Sequence, residues 1–245
     1  TEAGGAGSRC KTVYSYLLQL NELSGSPVMK KFIVLFLFPL LAGCGGTPTN
    51  NSTSNKIIDP MLASKDFFFS GDYVYYADAA VLTECATGLT LPIASAGDNL
   101  NAERRYTALP GPEMLPCYAV MEGYLRPREE GAEGHPVELV ITRFGSFDTT
   151  RHCTPAQRLA GRYIDRLADT VSSRIVLELY DDYTYKITTH DIPADSYGVS
   201  EGQWGRLSES VVVFIVPNSA DMLATVNWNG PELVLSETSS FIKIK

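Results

Sequence analysis

Five cysteines, three histidines and a short run of methionines are the side chains of this 245-residue sequence with the most chemical reach. The densest soft-donor pattern is Met114-x-x-Cys117-x-x-x-Met121. A thiolate beside thioethers suits Cu(I), because soft sulfur ligands match a soft cation. Cys117 and Met121 have the same parity and would share one face of a strand, whereas Met114 lies across Pro116. Free cysteine also behaves as a small buried hydrophobe, so core filling is the stronger reading of the pair. His135, His152 and His190 are not paired at metal-binding spacing, although His135 could lie near the sulfur cluster. No Gly-x-Ser-x-Gly elbow, His-Glu-x-x-His pair or phosphate loop occurs. Asp181-Asp182 resembles a carboxylate pair, but neighbours on a strand point to opposite faces, so a turn explains it better. No catalytic residue and no cofactor is expected, and the chain reads as a non-enzyme.

A different chemistry belongs to Cys44. Lys30 and Lys31 follow Met29, Phe32 to Leu40 is wholly apolar, and Leu41-Ala42-Gly43-Cys44 closes the run. The apolar run is far shorter than the ~20 residues a membrane-spanning helix needs, so it reads as a signal and not an anchor. The ending resembles the lipobox of bacterial lipoproteins. That resemblance implies a diacylglycerol on the Cys44 thiol, cleavage before it by signal peptidase II, and a membrane partnership through the N-terminal lipid. Residues 1–28, with Cys10, lie upstream of Met29 and are expected to be a non-native extension; 29–43 is the signal peptide. Gly45 stands where an inner-membrane retention aspartate would be, so the expected location is the outer membrane, on its periplasmic face.

The elements that would carry this chemistry follow from composition. Residues 44–245 hold 16 Lys and Arg against 26 Asp and Glu, a net charge of −10. Such a surface repels phosphate and excludes nucleic acid as a natural partner. With Cys44 lipidated, Cys85, Cys117 and Cys153 remain in an oxidising compartment, an odd number that predicts one disulfide and one free thiol. Spacing alone leaves all three pairings open.

Residues 44–66 are rich in Gly, Thr, Pro, Asn and Ser and read as a flexible tether. A first block, 67–154, contains predicted strands at Asp72–Tyr76, Val81–Cys85, Leu89–Ile93, Cys117–Leu125 and Val137–Phe144. One helix is expected from Asn99 to Leu109, capped by Asp98 and ended by Pro110-Gly111. Short strands around one helix suggest a small closed barrel. A second block, 155–245, has almost no helical pattern. Arg174–Tyr180 alternates with Ile175, Leu177 and Leu179 on one face, and Tyr183–Thr189 alternates again. Further runs are Glu201–Leu207, Val211–Val216, Leu223–Trp228, Glu232–Ser236 and Phe241–Lys245. Strands at this spacing indicate an antiparallel meander. The fold class is therefore mainly β, with a small barrel carrying one helix followed by an open antiparallel barrel, and the boundary near Cys153-Thr154-Pro155.

Tyr76-Ala77-Asp78-Ala79-Ala80-Val81-Leu82-Thr83-Glu84-Cys85-Ala86-Thr87-Gly88, with Leu91-Pro92-Ile93 following, resembles the OB-fold domain of the NlpE family of envelope lipoproteins. Gly97-Asp98, Glu103, Tyr106, Gly123 and a closing Cys153 fit the same pattern. The resemblance implies a Cys85–Cys153 disulfide, leaving Cys117 free. The second block is similar to the lipocalin-like barrel of the same family through Gly161, Tyr163, Leu167 and Ile175. The family's CxxC, tied to copper, is replaced by Asp169 and Ser172, and the order of the two domains is reversed.

Three functions fit export and tethering. The leading one is a binding or signalling role in envelope homeostasis or stress response, through an envelope protein partner. A small-ligand or copper carrier would use the second barrel or the Cys117 cluster, and a lipid-anchored enzyme inhibitor would use the Pro127–Pro136 loop. A carrier needs an enclosed cavity; a protein-contact module needs a filled core and an exposed apolar surface. Phe67-Phe68-Phe69 with Tyr73, Tyr75 and Tyr76 could form a stacking face on an OB fold, although core packing leads. Trp204 and Trp228 could line a barrel mouth.

Overall fold

Alternation and turn chemistry build the first module. In the computed structural model, which describes residues 65–244 apart from 111–113, 130, 133, 167–172, 231 and 237–238, β1 (Phe67–Tyr76) and β2 (Ala79–Glu84) pair antiparallel. They are joined by Ala77-Asp78, both at positive φ (49° and 61°), the turn geometry whose twist matches paired strands. β3 (Thr90–Pro92) adds to β2, β4 (Cys117–Pro127) to the other side of β1, and β5 (Val137–Asp148) to β4. A parallel bridge between Ile93 and Leu139, with Ala94 N–H donating to the Leu139 carbonyl at 2.9 Å, brings the two ends of the sheet together. Register shifts at Val120/Met121 and Glu122/Gly123 bend the β4–β5 pair to allow this curl. The result is the five-stranded, partly open barrel of an OB fold.

Helix α1 (Asn99–Thr107) sits between β3 and β4, where the sequence places it. Asp98 occupies the N-cap position, but its side chain caps nothing. The carboxylate instead accepts from the Phe144 backbone N–H at 2.8 Å and from Asn101 Nδ2 at 3.2 Å, tying the helix to β5. That corrects the expected cap: the long-range backbone donor of Phe144 takes the place of the local one.

The second module is an eight-stranded meander: β6 (Gly161–Asp165), β7 (Ser173–Leu179), β8 (Thr184–Asp191), β9 (Ser196–Ser208), β10 (Val211–Ile215), β11 (Met222–Asn227), β12 (Glu232–Ser236) and β13 (Ser239–Ile244). β13 pairs with β6, so the barrel is closed and not open as expected. Closure removes the row of unpaired groups that an open sheet would leave at its first and last strands. Leu177 and Leu179 face inward, as their alternation requires, and meet Tyr163, Tyr185, Trp204, Phe214 and Leu233. Leu179 is 2 % exposed and the others at most 1 %. Rings of this size each bury 150–250 Å² and fill a barrel of eight strands.

The described residues of both modules belong to one compact unit. A disulfide joins Cys85, just after β2, to Cys153, 68 residues on, where the chain leaves β5; Cys117 is free and buried. Beyond Cys153, Thr154 N–H donates to Gln157 Oε1 at 2.8 Å and starts a short 3-10 turn. Leu159 and Ala160 then both donate their N–H groups to the Ala86 carbonyl, at 2.7 and 3.0 Å. The connection is thus fastened to the first module before the barrel begins. Cys44, the segments 1–28 and 29–43, nearly all of the tether, and Leu167, Asp169 and Ser172 lie outside the described residues. Among the described residues no helix is long and apolar enough to cross a membrane.

Candidate functional site

Two features dominate the described surface: a sealed seam between the modules and an open groove on the first. The seam is built from the end of β2 and the middle of β9. Glu84 (1 % exposed) accepts from Thr87 N–H at 2.8 Å and from Thr87 Oγ1 at 2.9 Å through Oε2, and from Arg206 Nη2 at 2.5 Å through Oε1. Arg206 (4 % exposed) also donates to Ser70 Oγ at 3.0 Å, and its guanidinium lies over the Phe68 ring at 5.0 Å. Both charges are therefore buried, but each is paired and hydrogen-bonded, the condition under which burial is tolerated.

Aromatic rings complete the seam. Phe67 lies against Gly205 so closely that a Cβ there would meet the ring at 2.4 Å, and only glycine fits. Phe69 meets Tyr183 edge-on at 6.2 Å, and Tyr183 meets Trp204 at 5.6 Å. Burial, then the nearby Glu84 charge, push the Tyr183 hydroxyl well above the ordinary tyrosine range, so it stays neutral. The space left at this junction is about 10 Å³, room for one water at most. Arg151–Glu209 and Lys65–Asp221 pair across the same junction at the surface. The seam holds two modules in a fixed relation and offers no room for a ligand.

The groove has about 730 Å³ and runs between the β1–β2 turn, the end of α1 and the entry to β4. Tyr75 and Tyr76 come from β1, Tyr106 from α1, and Leu109, Pro110, Leu115 and Pro116 from the connection to β4. Beneath them Tyr73, Tyr106 and Phe147 pack at centroid distances of 5.3 to 5.8 Å. Tyr106 donates its hydroxyl to the Leu115 carbonyl at 2.7 Å, fixing one wall. Tyr76 and Leu115, both more than half exposed, form an apolar rim. Cys117 lies at the floor, and burial raises its thiol above the usual range. A protonated, enclosed thiol is a poor nucleophile and a poor metal ligand. His152, also lining the groove, stands 3.2 Å from the Asp72 carboxylate.

The remaining sequence candidates fall as follows. Met121 packs in the core with Cys117, but Met114 is half exposed at a positive φ of 66°, outside that core. Among the described residues no three His, Cys, Asp or Glu side chains gather where a metal could sit. His190 stacks on Tyr197 at 4.2 Å and faces Asp195 on the β8–β9 hairpin, while His135 Nδ1 accepts from the Val137 N–H at 3.4 Å. Asp182 accepts from Thr184 N–H at 2.9 Å and is the turn residue the sequence suggested. Phe67, Phe69 and Tyr73 are core, and Tyr75 and Tyr76 line the groove, so the aromatic run divides between both readings. Trp204 is fully buried and donates Nε1–H to the Tyr180 carbonyl at 3.0 Å; it lines no mouth. Trp228 is half-buried in the turn after β11. The Pro127–Pro136 loop is closed at its base by Arg128 N–H to the Pro136 carbonyl at 2.9 Å.

Sequence reading missed the Glu84–Arg206 pair. One sign was available, since Arg206 shares the parity of Trp204 on a strand with an apolar inner face. Its partner, 122 residues away, has no local mark.

Residues 63–154 match the family model described as the NlpE C-terminal OB domain. The match takes in all five strands, the helix and both cysteines of the disulfide. The first module is thus similar to the NlpE C-terminal OB domain. No curated protein and no solved structure matches the chain. The NlpE match thus covers the module that holds the groove and one side of the seam, and the fold class expected from sequence, mainly β with an OB domain and a second barrel, is the one observed.

Proposed function

We propose that this chain is an NlpE-like, lipid-anchored outer-membrane protein, tethered through Cys44, whose OB module engages an envelope protein partner in homeostasis or stress signalling. The observation that supports contact over carriage is the distribution of space. The barrel is filled by Tyr163, Leu177, Tyr185, Trp204, Phe214 and Leu233, whereas the OB module opens an aromatic groove to solvent. Tyrosine and exposed aliphatic side chains give large contact area at small entropic cost, the composition that suits a protein interface. The tether of 44–66 would let that groove reach a partner away from the membrane surface.

Copper carriage is the reading this must displace. A Cu(I) titration against a coloured chelator, run on the chain and on Cys117→Ser, separates the two. The expected result is that neither protein competes with the chelator, because the Cys117 thiol is buried and Met114 stands apart. Tight uptake of one equivalent, lost in Cys117→Ser, would replace the contact reading with metal carriage.

A further inference from the structure

The barrel closes by pairing of all eight strands, but β9 is longer than the neighbour that closes it. Every residue of β8 from Thr184 to Asp191 pairs with β9 over Ser196–Gln203. On the opposite side, β10 pairs with β9 only over Gln203–Ser208. Among the described residues, no strand pairs with the other edge of Ser196–Gly202.

The direction of its backbone groups can be read off. Trp204 donates its N–H to the Tyr183 carbonyl at 2.8 Å, on the β8 side. In an antiparallel strand the N–H and C=O of one residue point the same way and alternate along the chain. Gly202, Ser200, Gly198 and Ser196 therefore face β8. Glu201, Val199 and Tyr197 present their N–H and C=O groups to the free edge. Val199 and Tyr197 are also among the most exposed apolar side chains of the barrel, at 53 % and 66 %. An unpaired edge of this kind is a template for another strand.

We propose that this edge docks the same edge of a second copy of the chain, antiparallel about a two-fold axis at Val199. Parity selects the register. Side chains that share a face must meet, and edge-directed groups must meet edge-directed groups. Val199 opposite Val199 satisfies both, and it sets Tyr197 opposite Glu201 of the second copy. All three edge-directed residues then pair, giving about six inter-chain hydrogen bonds. Glu201 faces a tyrosine and not another carboxylate, so no like charges oppose.

The outer face of the barrel supports this occupant over an unrelated strand. Ile242, Ile164, Val176, Thr188 and Val199 are direct cross-strand neighbours over five strands, forming one row that ends at the free edge. Docking Val199 on Val199 joins this row to its own copy, extending an unbroken line of cross-strand contacts across the two-fold axis.

The test is a Val199→Cys substitution in the full chain, oxidised in the envelope and separated without reductant. A hydrogen-bonded antiparallel pair holds its Cα atoms about 5.5 Å apart, within disulfide reach. The expected result is a covalent homodimer as the main species, with Leu223→Cys, exposed on β11, remaining monomeric. Val199→Pro gives a second readout: it removes an edge N–H without touching the β8 ladder, and should abolish the dimer in sedimentation while leaving the circular dichroism unchanged. Equal cross-linking of the Val199→Cys and Leu223→Cys chains, a dimer that survives Val199→Pro, or an adduct of Val199→Cys with a different protein would each overturn the proposal.

Discussion

Glu84→Ala lowers the unfolding free energy by about 3–5 kcal/mol, the largest loss expected from any single substitution at the junction. The cause is what remains: the Arg206 guanidinium, almost wholly buried, keeps Ser70 Oγ but loses its counter-charge, and Thr87 loses the acceptor for both its N–H and its hydroxyl. Arg206→Ala has the same direction, with a carboxylate stranded instead. The double substitution Glu84→Leu with Arg206→Met should recover most of that loss, because a buried pair exchanged for apolar groups of similar volume is close to neutral. Denaturant unfolding of the two single variants and the double variant checks this. Additive losses in the double variant would show that the two groups do not act as a pair.

Removing the disulfide comes next in size. Replacing Cys85 and Cys153 together by serine should cost about 4 kcal/mol, the entropy released to the unfolded chain when a loop of this length is opened. Cys117→Ser alone should cost much less, since that thiol closes no loop. Equilibrium denaturation with and without reductant distinguishes the cases. A reductant-insensitive midpoint for the unsubstituted chain would contradict a structural role for the bond. Because Cys153 precedes the segment fastened to Ala86, reduction should also loosen the entry to the barrel, and protection of the Leu159 and Ala160 amides from hydrogen exchange should fall with it.

Much of the fold was legible because it rests on local patterns. The alternation of Ile175, Leu177 and Leu179, the Asp181-Asp182 turn and the Asn99 helix each depend on neighbours in sequence, and all three are present. β1 begins at Phe67, earlier than the expected Asp72, because three consecutive phenylalanines show no polar alternation even though their burial alternates. β9 begins at Ser196 and not at Glu201 because the two apolar side chains of its first half, Tyr197 and Val199, stand among small residues and face solvent, too short an alternation to mark a strand. β6 is five residues long and gains its place from β13 and β7, which sequence periodicity does not reveal. Barrel closure, the Glu84–Arg206 pair and the groove are all contacts between distant segments. Tyr75, Tyr76, Tyr106 and Cys117 were each noticed for some property, but only the packing of α1 beside β1 and β4 makes them one surface.

The most direct test of the contact function places a photo-crosslinking amino acid at Tyr76, on the groove rim, with Leu223 as the control position on the barrel. Irradiation is done on the full chain in the intact envelope, with and without Leu115→Asp on the facing rim. The expected result is one discrete adduct with an envelope protein from Tyr76, absent from Leu223 and lost when Leu115 becomes charged. No adduct from Tyr76, or one that persists with Leu115→Asp, would contradict the groove as the place where this protein meets its partner.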